Sequence, residues 1–263
     1  MENESYLNFN IWTNSDINMR QIGDYFANPL WWRIKAWRRL KINKDSILFN
    51  NEYKFIYKNK AEFVWSFRQV MEIFYDKAYD IPVKGSSVLD IGANIGDTAI
   101  YFIGEGKAKK VVALEPFSSQ YKIAKSNIKA NSMQNKIMLL NQGLSSKKEE
   151  ISLPKEEVDS GILNAKDSAV KNGTQIKFTT LPSLIKKYDL EDAIVKMDCQ
   201  GCEYESILKS SNETLRHFSG FVIEYHSRFE PLYKKMKNAG FKLVSNGVLE
   251  PEVAYWIRDD QER

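Results

Sequence analysis

One stretch, Val88-Leu89-Asp90-Ile91-Gly92-Ala93-Asn94-Ile95-Gly96-Asp97-Thr98, narrows the architectures open to this chain more than any other. A short β-branched run ends at an acid, two glycines stand four apart, and Asp97-Thr98 can cap a helical pattern beginning at Ala99. The pattern is a strand, a tight turn and a helix start. Glycines without Cβ let the backbone pass close to a ligand at the carboxyl end of a parallel strand. The spacing is Asp-x-Gly-x-Asn-x-Gly, which matches neither the dinucleotide turn G-x-G-x-x-G nor the phosphate loop G-x-x-x-x-G-K-[ST]. A carboxylate at Asp90 repels a pyrophosphate and suits a cationic amino-acid group.

A second acid supports that ligand. Glu115 ends the buried-strand pattern Lys110-Val111-Val112-Ala113-Leu114-Glu115-Pro116, where a carboxylate can accept both ribose hydroxyls. An adenosyl ligand that also carries an amino acid is S-adenosyl-L-methionine. The cofactor residues expected are therefore Asp90, Gly92, Asn94, Gly96, Thr98, Glu115 and Pro116.

From residue 86 onward strand and helix patterns alternate: strand 86–91, helix 98–104, strand 110–115, helix 118–131 and strand 137–142. Such alternation marks a parallel sheet with right-handed crossovers. The third strand runs into Gln142-Gly143, which by fold-level analogy meets the adenine edge and otherwise is a plain turn. Residues 145–180 interrupt the rhythm as an inserted hairpin, with strands over 149–153 and 175–179 around a polar loop containing Asp159-Ser160-Gly161. An insertion of that size can shape a substrate mouth. A short helix over 181–188 and a buried strand over 193–198 follow, and the strand delivers Asp198 to the edge that holds Asp90 and Glu115. Helix 203–209, strand 220–225, helix 230–238 and strands 241–244 and 253–258 complete the pattern.

Three segments, DIGANIGDTAIYF, ALEPF and Lys196-Met197-Asp198-Cys199-Gln200-Gly201-Cys202-Glu203, resemble the FkbM family of S-adenosylmethionine-dependent methyltransferases, many of which methylate hydroxyl groups. The resemblance runs from about residue 82 to 225, with the motifs in family order. It implies an α/β fold: a Rossmann-like seven-stranded methyltransferase sheet, helices on both faces, its final strand reversed, and here an N-terminal helical and hairpin extension. One departure stands out: Gln200 occupies the place where the family's D-x-E-G-x-E motif usually has Glu.

Methyl transfer from a sulfonium is an in-line displacement, so the acceptor must be positioned and its proton removed. The candidates at the strand edge are Asp198, Glu203, Glu224 and His226. Asp198 either takes a substrate-side role or supports the methionine end of the cofactor. Glu203 is a functional acid or one stabilised by a helix N-terminus. Glu224 and His226 share one side of a strand by their i, i+2 spacing. His226 is the imidazole candidate for a base, because the other histidine, His217, falls in a polar helix. Cys199-x-x-Cys202 is read as two small buried residues at a tight turn, since a thioredoxin-like setting and zinc-finger spacing are both missing. No metal is expected.

The first part of the chain, residues 1–80, reads as an extension to a methyltransferase domain over 81–263. A helix over 30–40 carries Trp31, Trp32 and Trp37 beside Arg33, Lys35, Arg38 and Arg39, a composition suited to core burial with solvated cations, to RNA, or to peripheral membrane contact. Asn50-Asn51 reads as a hairpin turn and residues 62–79 as a long amphipathic helix, together a lid or platform. The net charge of +4 implies no polyanionic partner by itself. Without a secretory leader, a long apolar run or a disulfide framework, the chain is expected to be cytoplasmic. The leading expectation is O-methylation of a glycan or related small molecule. RNA methylation and a non-catalytic binding module are the alternatives, and oligomeric state is not legible.

Overall fold

The computed structural model describes residues 38–154, 173–244 and 253–261. The chain divides into two compact units, Met1–Tyr75 and Asp76–Arg263.

In the first unit, strands β1 (Leu40–Ile42), β2 (Ser46–Phe49) and β3 (Tyr53–Ile56) form an antiparallel sheet in that order. The turn falls at Asn50-Asn51 as expected: both residues adopt left-handed φ, 54° and 57°, a conformation that asparagine tolerates. Most of the predicted 30–40 helix, including Arg33 and Lys35, lies outside the described residues. Its last three positions are not helical: Arg38 and Arg39 form a turn and Leu40 opens β1. Burial of Leu40 opposite Phe49 favours the strand there. Helix α1 (Lys60–Val70) begins at Asn59, whose side chain accepts the Glu62 N–H, while Glu62 accepts the Lys58 N–H in return. The helix is shorter than the predicted 62–79. It relaxes into a π turn, Met71–Tyr75, and Lys77 has φ 60°, which no right-handed helix continues. The π turn places Phe74 against Phe49, Tyr53 and Phe55, with ring centroids 5.4, 4.9 and 5.5 Å apart.

The second unit is built on a seven-stranded sheet. In chain order its parts are β4 (Ser87–Ile91), α2 (Asp97–Gly104), β5 (Lys110–Leu114), α3 (Ser118–Ala130) and β6 (Ile137–Leu140), then β7 (Gly143–Leu144), β8 (Glu149–Leu153) and β9 (Thr174–Thr179). Next come α4 (Leu181–Tyr188), β10 (Ile194–Met197), α5 (Cys202–Lys209), α6 (Asn212–Arg216), β11 (Gly220–Glu224), α7 (Phe229–Asn238), β12 (Phe241–Val244) and β13 (Val253–Arg258). Strands β7, β9 and β8 form a separate small sheet in which β8 and β9 are the expected hairpin. The main sheet runs β12-β13-β11-β10-β4-β5-β6, and β13 is antiparallel to both its neighbours, as the resemblance implied. Strands β4, β5 and β10 are apolar and buried almost throughout, which requires cover on both faces and is the signature of an α/β sheet.

Connections leave β4 toward β5 and β6 on one side, and β10 and β11 lie on the other. The order therefore reverses between β4 and β10, where the carboxyl ends of parallel strands leave a crevice. Among the described residues no helix is long and apolar enough to cross a membrane.

Candidate active site

Register brings the first pair of site groups together. Lys196 on β10 lies directly opposite Asp90 on β4, so their side chains share one face. The Lys196 ammonium stands 3.4 Å from Asp90 Oδ1 and donates to the Gly92 carbonyl at 2.9 Å. Thr98 Oγ1 donates to Asp90 Oδ2 at 2.6 Å. The lysine contact is an ion pair without hydrogen-bond alignment, so Asp90 Oδ1 has no hydrogen-bond donor. Burial would lower the Lys196 pKa, but Asp90, Asp198, Asp97 and Glu224 together hold it above its ordinary value. Asp90 is completely buried and Lys196 is 1% exposed. The Asp90 carboxylate organises the glycine turn through Thr98 and through Lys196, a residue to which the sequence alone assigns no role. Its signal was present: a lone cation inside the buried run Ala193-Ile194-Val195-Lys196-Met197.

The turn differs from expectation in two details. Helix α2 starts after Gly96, which has φ 82° and, lacking a side chain, leaves the helix without a side-chain cap, while the Thr98 hydroxyl inside the first turn donates to Asp90. Gly92 has φ 81°, and a Cβ there would lie 1.8 Å from the Asp198 carbonyl oxygen. The glycine therefore makes room for the adjacent strand tip as well as for any ligand.

Glu115 follows β5 at the neighbouring tip. Its two oxygens accept the N–H groups of Asn94 and Phe117, each at 2.9 Å, so it ties both strand-to-helix turns together. Burial pushes its pKa up to about 7, against the opposing pull of those two N–H groups and of Lys196. Pro116 and Glu115 offer their carbonyls to the Asn141 amide, both at 2.9 Å. Gln142 is half-buried. Gly143 is not in a plain turn: it opens β7, pairs with Phe178, and a Cβ would meet that ring at 2.5 Å.

The four proton-transfer candidates form one cluster. Asp198 follows β10 and Glu224 ends β11, the next strand over, so their carboxylates converge. The Tyr79 hydroxyl donates to Asp198 Oδ2 at 3.2 Å and more closely to Glu224. Tyr79 is buried, lies under the Lys196 ammonium at 5.1 Å, and was missed because the sequence placed it at the end of a helix. His226 Nδ1 contacts Glu203 Oε1 at 2.8 Å, and its Nε2 lies 3.4 Å from Glu224 and 3.7 Å from Asp198. Hydrogen bonds to Glu203 and Glu224 raise the His226 pKa to about 10. An imidazolium has no lone pair with which to accept a proton, so the ring can accept one only after giving up its own. The Gln200 amide nitrogen sits 2.9 Å from Nε2; with the ring doubly protonated, the amide turns its oxygen there. Burial raises the Asp198 pKa, whereas for Glu224 the bonds to His226 and Tyr79 overcome burial and lower it.

Cys199 and Cys202 are bonded to each other as a disulfide and are half-buried. This corrects the expectation of two separate buried thiols, because the turn brings the sulfurs together. Ligand atoms of Asp198, Glu224 and His226 lie within 4.8 Å of one another, but Tyr79 and Lys196 already serve those carboxylates as donor and cation. Of the basic residues once considered for RNA, Arg38 and Arg39 are exposed, and the Arg39 guanidinium lies 5.8 Å over the Tyr75 ring.

Several solved structures share features with this one. A protein of the NADB-Rossmann superfamily from Streptococcus agalactiae has 16% identity and a TM-score of 0.45, with 72% of this chain and 66% of that one covered. A methyltransferase FkbM from Methylobacillus flagellatus KT has 14% identity and a TM-score of 0.47 over 74% of this chain and 54% of that one. TrmK of M. capricolum, in complex with S-adenosyl-homocysteine, has 10% identity and a TM-score of 0.37 over 73% and 66%. The chain thus spans less than two thirds of the length of each of these relatives. No curated protein matches it significantly. The sequence profile of the methyltransferase FkbM domain matches residues 90–243. That match runs from the buried acid of the glycine turn into β12 and takes in more than half of the 263 residues, so the chain belongs to the FkbM methyltransferase family.

Proposed function

We propose that the protein uses S-adenosyl-L-methionine to methylate a hydroxyl group of a glycan or related small molecule. One observation carries the reading. At the crevice where strand order reverses, a buried carboxylate with lone pairs to spare, Glu115, stands one strand from the Asp90–Lys196 pair and two from Asp198. The cofactor fits this chemistry. Glu115 has its pKa raised by burial and has capacity for further donors, which a ribose diol would supply. Asp90 would act on the cofactor through the turn that it and Lys196 hold in shape.

When bound, the cofactor supplies an electrophilic methyl group on a sulfonium. The chain's own residues do the rest. Two carboxylates bridged by the Tyr79 hydroxyl have their pKa values pushed apart, Asp198 upward and Glu224 downward. Such separation divides roles between neighbouring acids. Asp198, its side chain 27% exposed, is the proton acceptor for the substrate hydroxyl, and Glu224 stays ionised as the counter-ion of His226. Glu203 is fully buried and orients the imidazolium. The test is calorimetric binding of S-adenosyl-L-methionine to the wild type and Glu115→Ala, followed by transfer of a labelled methyl group to fractionated glycans. Binding lost in the variant, with label held in base-stable ether linkage, is the expected result. Absence of binding by the wild type overturns the reading.

A further inference from the structure

The segment from Asp198 to Glu203 threads two sulfurs between site residues. The Cys199–Cys202 bond closes a ring around Gln200 and Gly201, whose φ values are 56° and 113°. A side chain with a Cβ is uncommon in that region, and here Gln200 holds it inside a cross-linked four-residue turn. Three of the four ring residues touch the group that holds His226. The Gln200 amide reaches Nε2 at 2.9 Å, and the Gly201 N–H donates to both Glu203 oxygens at 3.2 and 3.0 Å. Cys199 Sγ lies 3.2 Å from Glu203 Oε2. As half of a disulfide that sulfur carries no proton and gives the carboxylate nothing. As a thiol in the same place it is a donor.

We infer that Cys199 and Cys202 form a reversible dithiol–disulfide couple that sets how tightly Glu203 and Gln200 hold His226, making the candidate active site redox-responsive. The regulated activity rests on the methyl-transfer reading above; the couple itself does not. The reductant is a dithiol. Its thiolate attacks Cys199 Sγ, the Cys199–Cys202 bond breaks, and Cys202 leaves as a thiolate at the first position of α5, where the helix N-terminus stabilises it. The second sulfur of the reductant then displaces Cys199, leaving an external disulfide. Two electrons and two protons end on the two cysteines. Glu203 gains the Cys199 S–H as a donor, and the turn carrying Gln200 is no longer tied. The other charged groups facing His226, Asp198 and Glu224, arrive from β10 and β11 and are not part of the ring.

The experiment follows the assigned His226 Cε1–H resonance in the full chain, oxidised and after dithiothreitol, with alkylation and mass spectrometry counting thiols in each state. Reduction is expected to expose two alkylatable thiols, shift the resonance, and lower the His226 titration midpoint by about one pH unit, the share of one charge-assisted hydrogen bond. A Cys199→Ser/Cys202→Ser variant should stay at the shifted position with or without oxidant. An unchanged resonance across both states, or a native disulfide that dithiothreitol does not open, overturns the inference. Calorimetry with S-adenosyl-L-methionine on the same samples keeps the two proposals separate: absent binding sinks the methyltransferase reading, whereas the redox couple stands or falls on the histidine signal.

Discussion

Lys196 shows how one side chain holds several others in place. It neutralises Asp90, pins the Gly92 carbonyl and lies near Asp198, all from a position with almost no contact with water. Removing one partner of a buried ion pair costs far more than the pair contributes, because the remaining charge stays desolvated. Lys196→Met should therefore lower unfolding stability in urea by about 3–5 kcal/mol, and adding Asp90→Asn should restore part of it. Glu115 makes a separate prediction. Its folded pKa, about 7, lies above its ordinary value of 4.5, so its contribution to folding is full below about 4.5 and is lost as pH rises through about 7. Ligand hydroxyls bond the ionised form, so cofactor binding should run the other way and strengthen up to about tenfold per pH unit on approaching pH 7 from below. Calorimetry across that range should find the slope absent in Glu115→Gln. The acids at strand tips were legible in the sequence because a buried run ending in a carboxylate is an unusual pattern. Tyr79 and the charge state of His226 were not, since both depend on groups distant in the chain, Glu224 and Glu203.

Among the elements, the turn after β4 is the most constrained. Gly92→Ala adds a Cβ to a left-handed residue already touching the Asp198 backbone, and should cost on the order of 3 kcal/mol in denaturant unfolding. Helix α1 depends on a milder device, and Asn59→Ala should remove about 1 kcal/mol of stability in the same measurement. Strand and helix periodicity gave most elements of the second unit to within a residue or two, because parallel strands buried on both faces read as continuous apolar runs. Periodicity failed where local geometry was decided by something else. The π turn at Met71–Tyr75 keeps Phe74 in its aromatic cluster although the helical register is broken, and β7 exists only because β9 comes back to pair with it.

Taken whole, the molecule carries a pH profile set at the carboxyl edge of its main sheet. His226, with a folded pKa of about 10 against an ordinary 6.5, contributes stability that is fully present below about 6.5 and is lost as pH rises through about 10. Glu224, held low, contributes stability above its ordinary 4.5 that is lost as pH falls through its lower folded value. The melting temperature should decline between pH 7 and 10, and His226→Gln should flatten that decline; an equally steep fall in the variant would assign it elsewhere. The contact between Lys196 and Gly92 also bears on biosynthesis, because its partners are 104 residues apart in the chain. A nascent polypeptide that has emerged only as far as β9 already has its whole glycine loop, yet neither the ammonium that quiets Asp90 nor the carbonyl against which Gly92 closes. The glycine turn after β4 therefore cannot take its final form until β10 has been synthesised.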